Sequence, residues 1–137
     1  AYASSALAYD PFYPEWKGCG DDLSFKISYV LLEAPPVVDQ NSTFWLCSRN
    51  LVHYLQADNI IATSGNTLNM TFDVRGVKHV FRDQQCFGVT FEIPQEPKDL
   101  EINFVVNDLD KKEVGCVDVT LHTGESLRNK KFLGSSF

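Results

Sequence analysis

The sequence predicts an all-β fold, an antiparallel β-sandwich that is immunoglobulin-like and stapled by disulfides. About six to eight segments alternate apolar and polar residues at spacings of roughly 8 to 15 residues, which is typical of sandwich strands. Helical periodicity is almost absent. Four cysteines, an even number, are spread across the chain and can cross-link its parts.

The first predicted strand is "LSFKISYVL", which alternates cleanly. Its inward face carries Leu23, Phe25, Ile27, Tyr29 and Leu31. Pro35 and Pro36 then interrupt the pattern, because proline cannot donate a hydrogen bond to a central ladder. A short strand follows in "STFWLCS", where Trp45 and Cys47 share the face opposite to Phe44.

Four later segments alternate in the same way, and they supply most of the predicted core. The inward positions are Leu68, Met70, Phe72 and Val74, then Phe87, Val89, Phe91 and Ile93, then Ile102, Phe104 and Val106, and finally Val117, Val119 and Leu121. The segment "NDLDKKE" separates the last two strands and is predicted to be a hairpin turn. The closing strands therefore form an antiparallel pair.

The chain has 137 residues, which suits one domain with a sizeable core. Residues 1–18 carry prolines among aromatics and are predicted to be an extended N-terminal arm whose aromatic side chains pack onto the domain. Residues 19–122 form the single β-sandwich domain. Residues 123–137 are predicted to be a C-terminal tail.

The cysteines and two glycosylation sequons predict an extracellular protein. No C-x-x-C motif occurs, so a zinc ribbon or a thioredoxin-like site loses its main support. Asn41 and Asn69 each begin an N-x-S/T sequon, and alternation turns Asn69 toward solvent, as a glycan requires. The chain begins at Ala1 without methionine, and its small, polar first residues suggest an end left after removal of a signal peptide.

The phase of the last strand indicates how the cysteines pair. Cys116 is out of phase with the inward valines, so it points away from the core and toward a partner outside it. Cys19 lies on the arm that leads to the first strand, and a Cys19–Cys116 bond would tie that arm to the last strand. Cys47 would then pair with Cys86. This nested pairing is favoured, although four cysteines allow three connectivities and the sequence does not choose among them.

Two terminal segments, together about 50 residues, resemble ML domains, which are small secreted lipid-recognition β-sandwiches. "WKGCGDDLSFKISYVLLEAPPVV" is similar to the opening of that family, and "DLEINFVVNDLDKKEVGCVDVTLHTG" is similar to its ending. The matching positions are Trp16, Cys19, Pro35, Pro36, Asp108 and Cys116. The resemblance implies a bond between the first and last cysteines and an apolar ligand between the sheets.

The composition argues against several classes of function. The formal net charge is −6, from 12 Lys+Arg against 18 Asp+Glu, whereas a nucleic-acid partner requires clustered cations. No apolar run reaches the roughly 18 residues of a membrane span. Catalytic motifs such as G-x-S-x-G and H-E-x-x-H are missing, so no enzyme and no cofactor is expected. The acidic turn around Asp108 and Asp110 is predicted to be a solvated hairpin turn and not a calcium site.

We therefore expect a secreted, non-enzymatic binding module. The first hypothesis is a lipid or sterol held between the sheets, and the lining it predicts is Phe25, Ile27, Phe72, Phe91 and Phe104. The first alternative is a protein-recognition factor that acts through its loops or a sheet face. The second alternative is a carbohydrate-binding module that uses exposed aromatics, Trp45 above all. The sequence leaves the oligomeric state open.

Overall fold

A computed structural model describes residues 11–20, 23–49, 53–65, 67–77, 79–95 and 99–122. The beginning of the predicted arm, residues 1–10, and the predicted tail, 123–137, lie outside the described residues. The boundaries proposed for the arm, domain and tail therefore remain predictions.

Nine strands make up the regular structure of these residues, and all of their pairings are antiparallel. They are β1 (Glu15–Gly18), β2 (Tyr29–Leu32), β3 (Asn41–Ser48), β4 (Ala57–Ser64), β5 (Leu68–Asp73), β6 (His79–Phe81), β7 (Gln84–Glu92), β8 (Leu100–Asp108) and β9 (Glu113–Leu121). One sheet has the order β1-β9-β8-β4-β5, and the other has the order β2-β3-β7-β6. The predicted disulfide-stapled β-sandwich is confirmed. Within the described ranges, no helix is long and apolar enough to cross a membrane.

The core lies between the two sheets and is built from alternating residues of the long strands. In the five-stranded sheet, the predicted inward residues of β8 and β9 are all buried: Ile102, Phe104, Val106, Val117, Val119 and Leu121. In the four-stranded sheet, Phe87, Val89 and Phe91 of β7 are buried beside Phe44 and Leu46 of β3. A period of two thus places one apolar face of each strand against the opposite sheet.

The first predicted strand is shorter than expected, and its inward phase changes partway. Phe25 and Ile27 are buried as predicted, but they precede β2. Within β2 the buried residues are Val30 and Leu32, and the residues between them are only half-buried. The prediction that Tyr29 and Leu31 face inward is wrong, because residues 26–28 leave the ladder and the alternation restarts one position later.

Part of the predicted arm belongs to a sheet. Residues 15–18 form β1, which pairs with β9 at the edge of the five-stranded sheet. Phe12 makes two backbone hydrogen bonds with Leu32, of 2.9 and 2.8 Å, and packs against the core. Of the described arm aromatics, Phe12 is partly buried against the core, whereas Tyr13 is 67% exposed and Trp16 is 36% exposed.

Two disulfides join parts that are distant in sequence. Cys19 bonds to Cys116, 97 residues away, and Cys47 bonds to Cys86, 39 residues away. This is the nested pairing that the sequence favours. Cys116 is half-buried on the outer face of β9, whereas Cys47 and Cys86 lie directly opposite one another on the paired strands β3 and β7.

Candidate functional site

Four phenylalanines form a continuous cluster between the sheets, which we call the phenylalanine cluster: Phe44, Phe72, Phe91 and Phe104. The rings of Phe44 and Phe91 stack with centroids 5.0 Å apart. Phe104 approaches these two rings from the opposite sheet, at 5.3 Å and 6.2 Å. Phe72 of β5 lies 5.8 Å from Phe91. The cluster therefore spans the interior and reaches the edge strand β5.

The structure brings three of the five predicted lining residues together. Phe72, Phe91 and Phe104 belong to the phenylalanine cluster, whereas Phe25 pairs separately with Phe87, 5.3 Å away. Ile27 is 6% exposed in the same core. Phe44 was not among the predicted lining residues, although its phase in "STFWLCS" already turned it inward. The buried rings pack against the other apolar side chains between the sheets.

The inner face is partly open to solvent at β5. Met70 pairs with the buried Ala62 of β4, so its side chain lies on the inner side of the sheet. It is nevertheless 40% exposed, because β5 is an edge strand and no other described strand lies on its far side. Phe72 lies two residues further on and is half-buried. Apolar side chains of the interior thus come to the surface along this edge.

Trp45 lies on the outer face of the four-stranded sheet and is half-buried there. Its indole N–H donates a hydrogen bond to Glu33 at 3.1 Å, and its ring meets His79 edge-on at 5.1 Å. The ring also covers Gly88 on the neighbouring strand, where even a Cβ would come within 2.7 Å of it. The Trp45 side chain therefore covers Gly88, and its indole N–H already has a hydrogen-bond partner.

A concave surface lies at one end of the sandwich. It is a groove of about 420 Å³, and the exposed apolar residues Tyr54, Val77 and Leu109 contribute to its lining. Arg75 lies at its side and donates hydrogen bonds to the buried carboxylate of Asp58. The hydrogen bond to Asp58, together with the attraction of that charge, raises the pKa of Arg75 above its ordinary value.

In the acidic turn between β8 and β9, the carboxylate of Asp108 binds backbone amide groups of the turn itself. Asp108 accepts hydrogen bonds from the amide groups of Asp110 and Lys112, each at 2.9 Å. Lys111 has a φ of 63°, the left-handed conformation that such turns require. In the part of the chain that the structure describes, no group of three or more His, Cys, Asp or Glu side chains is arranged to hold a metal ion.

Both sequon asparagines are exposed. Asn41 begins β3 and pairs with Glu92, whereas Asn69 lies on β5 and pairs with Thr63. Leu68, which precedes Asn69 in β5, is buried. Because successive side chains of a strand point to opposite faces, the side-chain amide of Asn69 faces away from the core. The predicted solvent-facing direction of Asn69 agrees with its exposure.

Comparisons with known proteins find similarity in structure only. No family model matches the chain, and no curated protein is significantly similar to it. A Niemann-Pick type C2 protein from Japanese carpenter ant is 12% identical, with a TM-score of 0.51, over 80% of this chain and 98% of that chain. Chicken MD-1, solved in complex with lipid IVa, is 13% identical, with a TM-score of 0.48, over 84% of this chain and 98% of that chain. The likeness to the ant protein shows that the two chains share a β-sandwich fold.

Proposed function

We propose that this chain is a secreted, non-enzymatic binding protein that holds a lipid or a sterol between its two sheets. The observation that carries the proposal is the reach of the phenylalanine cluster, which runs from the buried Phe104 to the half-buried Phe72 at the sheet edge. An apolar molecule that enters at β5 meets aromatic surface along its whole path. The resemblance of the two terminal segments to ML domains supports the same ligand class.

Binding requires the sheets to separate at β5, because aromatic side chains of the two sheets are in contact across the interior. Phe72 contacts Phe91 across the two sheets, and this contact is the one nearest the edge. An apolar ligand that parts the two rings replaces ring–ring contact with ring–ligand contact. It also loses its own contact with water, which contributes about 25 cal/mol per Å² of apolar surface. The polar end of an amphiphile would remain in solvent beside Met70.

Two features support passage through the secretory pathway. Disulfides persist in oxidising compartments and are rare in the cytosol, and all four cysteines of this chain are paired. Two sequons also present their asparagines, Asn41 and Asn69, at the surface. Secretion and the apolar ligand are separate parts of the proposal, and each has its own test.

The ligand part is tested by placing a charge at the proposed entrance. Protein stripped of lipid is titrated with a fluorescent polyene fatty acid and with a fluorescent sterol. Met70→Glu should weaken binding at least about tenfold, or 1.4 kcal/mol, because a carboxylate would lie beside the apolar ligand. Leu109→Glu is the matched control, since Leu109 is 46% exposed but lies on the β8–β9 turn at the end groove, whereas Met70 lies opposite Ala62 within the sheet.

Two outcomes would contradict this entrance. Binding of neither probe by the wild-type protein would remove the apolar ligand. Loss of binding in Leu109→Glu together with unchanged binding in Met70→Glu would move the site to the groove at the end of the sandwich.

The secretion part is tested by expressing the chain behind a secretory leader and in the cytosol, and mapping its disulfides under non-reducing conditions. Equal disulfide formation and folding yield in the two compartments would contradict it.

Protein recognition is the second candidate, and the end groove is the observation that favours it. Exposed apolar side chains such as Val77 and Leu109 around a concave surface are typical of interaction sites. Binding of a protein partner should be lost in Leu109→Glu and retained in Met70→Glu, which is the opposite of the pattern expected for lipid binding.

The carbohydrate alternative, which uses Trp45, stays a prediction. It is tested by comparing glycan-array binding of the wild type and of Trp45→Ala.

A further inference from the structure

A polar groove of about 540 Å³ crosses the outer face of the five-stranded sheet. One of its walls is β1, at residues 15–17, and the other is the end of β4 with the turn that follows, residues 63–65. Its floor is formed by the outward residues of β8 and β9 between those walls. The groove is on the opposite side of the sheet from the phenylalanine cluster, so it is independent of the proposed lipid site.

The floor and the β4 wall of the groove offer hydrogen-bonding groups that the described residues do not use. Glu101, Thr63 and Thr120 make no side-chain hydrogen bond or ion pair with any residue that the structure describes. A carboxylate accepts hydrogen bonds, and a hydroxyl both donates and accepts them. These groups therefore remain available to a ligand that carries many hydroxyls.

Asn103, at the centre of the floor, is held in a fixed orientation. Its amide nitrogen donates to Asp118 at 2.9 Å and lies 3.4 and 3.5 Å from the sulfur atoms of Cys19 and Cys116. With the nitrogen thus engaged, the carbonyl oxygen of Asn103 is left as an oriented acceptor. The disulfide that closes the domain also fixes part of the groove floor.

Asn69 stands at one end of the row of side chains that crosses this groove. Strand register places Asn69 beside Thr63, Thr63 beside Asn103, Asn103 beside Asp118, and Asp118 beside Lys17. Neighbouring strands are about 4.8 Å apart, so Asn103 lies about 10 Å from Asn69 along the row. The first sugar residues of an N-linked glycan on Asn69 can cover this distance.

We propose that the groove binds the protein's own N-linked glycan, attached at Asn69 and laid across β4 and β8. The chemistry of the groove suits a neutral, hydroxyl-rich ligand, since the carboxylates of Glu15, Glu101 and Asp118 outnumber Lys17, the single cation among the described lining residues, and disfavour a phosphate or another anion. Covalent attachment in the same row supplies the ligand at a high local concentration. The inference requires passage through the secretory pathway but not an apolar ligand, so a failed lipid titration leaves it standing.

Carboxylate labelling tests the inference directly. The Asn41→Gln variant, which leaves Asn69 as the single candidate site among the two sequons, is secreted from cells that make high-mannose glycans. It is compared with the same protein trimmed to one N-acetylglucosamine, and carbodiimide labelling is followed by peptide mass spectrometry. We expect Glu101 to be labelled several-fold more slowly with the intact glycan, because a glycan that lies across the groove keeps the carbodiimide from the Glu101 carboxylate.

Two internal comparisons show whether the protection comes from the glycan. Glu92 is exposed on the outer face of the other sheet, and its labelling rate should not change with trimming. Thr71→Ala removes the sequon but keeps Asn69, and in this variant Glu101 should be labelled at the fast rate of the trimmed protein.

Three results would overturn the inference. Equal labelling of Glu101 with intact and trimmed glycan would show that the glycan does not lie in the groove. An unglycosylated Asn69 in the secreted protein would remove the ligand altogether. Protection of Glu101 by an added N-acetylglucosamine oligomer, without protection by the attached glycan, would assign the groove to a free saccharide instead.

Discussion

Substitution of Gly88 by alanine tests the close contact between Trp45 and the neighbouring strand of the four-stranded sheet. A Cβ at position 88 would lie 2.7, 2.9 and 3.0 Å from Cζ3, Cη2 and Cε3 of Trp45. Nonbonded carbon atoms rest about 3.5–4.0 Å apart, so the ring must move by roughly 1 Å. That movement disturbs the hydrogen bond to Glu33 and the edge contact with His79.

The expected cost follows from these contacts. Overpacking costs about 1–3 kcal/mol, and replacement of glycine by alanine returns about 0.4–1 kcal/mol through the unfolded chain. We therefore expect Gly88→Ala to destabilise the protein by about 1–2 kcal/mol. In a Trp45→Ala background the clash is gone, so the same substitution should be neutral or stabilising by up to about 1 kcal/mol.

The assay is urea denaturation of the wild type, the two single variants and the double variant, with oxidised disulfides throughout. Trp16→Phe in all four proteins makes Trp45, where present, the only tryptophan, and near-ultraviolet circular dichroism then reports its environment. The interaction free energy should be about 1–3 kcal/mol. Equal destabilisation by Gly88→Ala in both backgrounds would refute the assigned role of Trp45 as a cover for Gly88.

Three further predictions concern stability and cross-linking. Phe104→Ala should cost about 3–5 kcal/mol in urea denaturation, because its ring is fully buried; a loss below 1 kcal/mol would contradict a tightly filled interior. Gln85→Leu should cost about 1–3 kcal/mol for each backbone group left unpaired, because the Gln85 amide bonds both the N–H and the C=O of Leu55; an unchanged midpoint would contradict this. Replacing Cys19 and Cys116 by serine should lower stability by up to about 4–5 kcal/mol, and non-reducing peptide maps that lack this pair would contradict the structure.

Alternation predicted the long strands well and the short ones poorly. β8 has a hydrogen-bonded neighbour on each side, so its inward residues Ile102, Phe104 and Val106 are all buried. β2 is preceded by residues that lie outside the ladder. The alternation of buried residues therefore restarts one position later, and Tyr29 does not face inward as predicted. Met70 faces the inner side as the pattern implies, but its exposure depends on the position of β5 at the sheet edge.

The candidate sites depend on strand order, which no local pattern contains. The polar groove exists because β1 and the end of β4 flank β9 and β8, although these segments are far apart in the sequence. The row from Asn69 to Lys17 likewise needs all four pairings of the sheet. In contrast, the cysteine pairing was favoured from two local features, the phase of Cys116 and the position of Cys19 on the arm, because a side chain that points off the core limits its partners.

Native mass spectrometry of the secreted protein, purified without added lipid, tests the central claim most directly. An apolar molecule held between the sheets should appear as a noncovalent mass that organic extraction removes and that a fatty acid or a sterol restores. Met70→Glu protein should carry less of this mass than Leu109→Glu protein, because only Met70 lies beside the proposed entrance. A single unliganded mass before extraction, together with no uptake of either compound afterwards, would contradict an apolar ligand between the sheets.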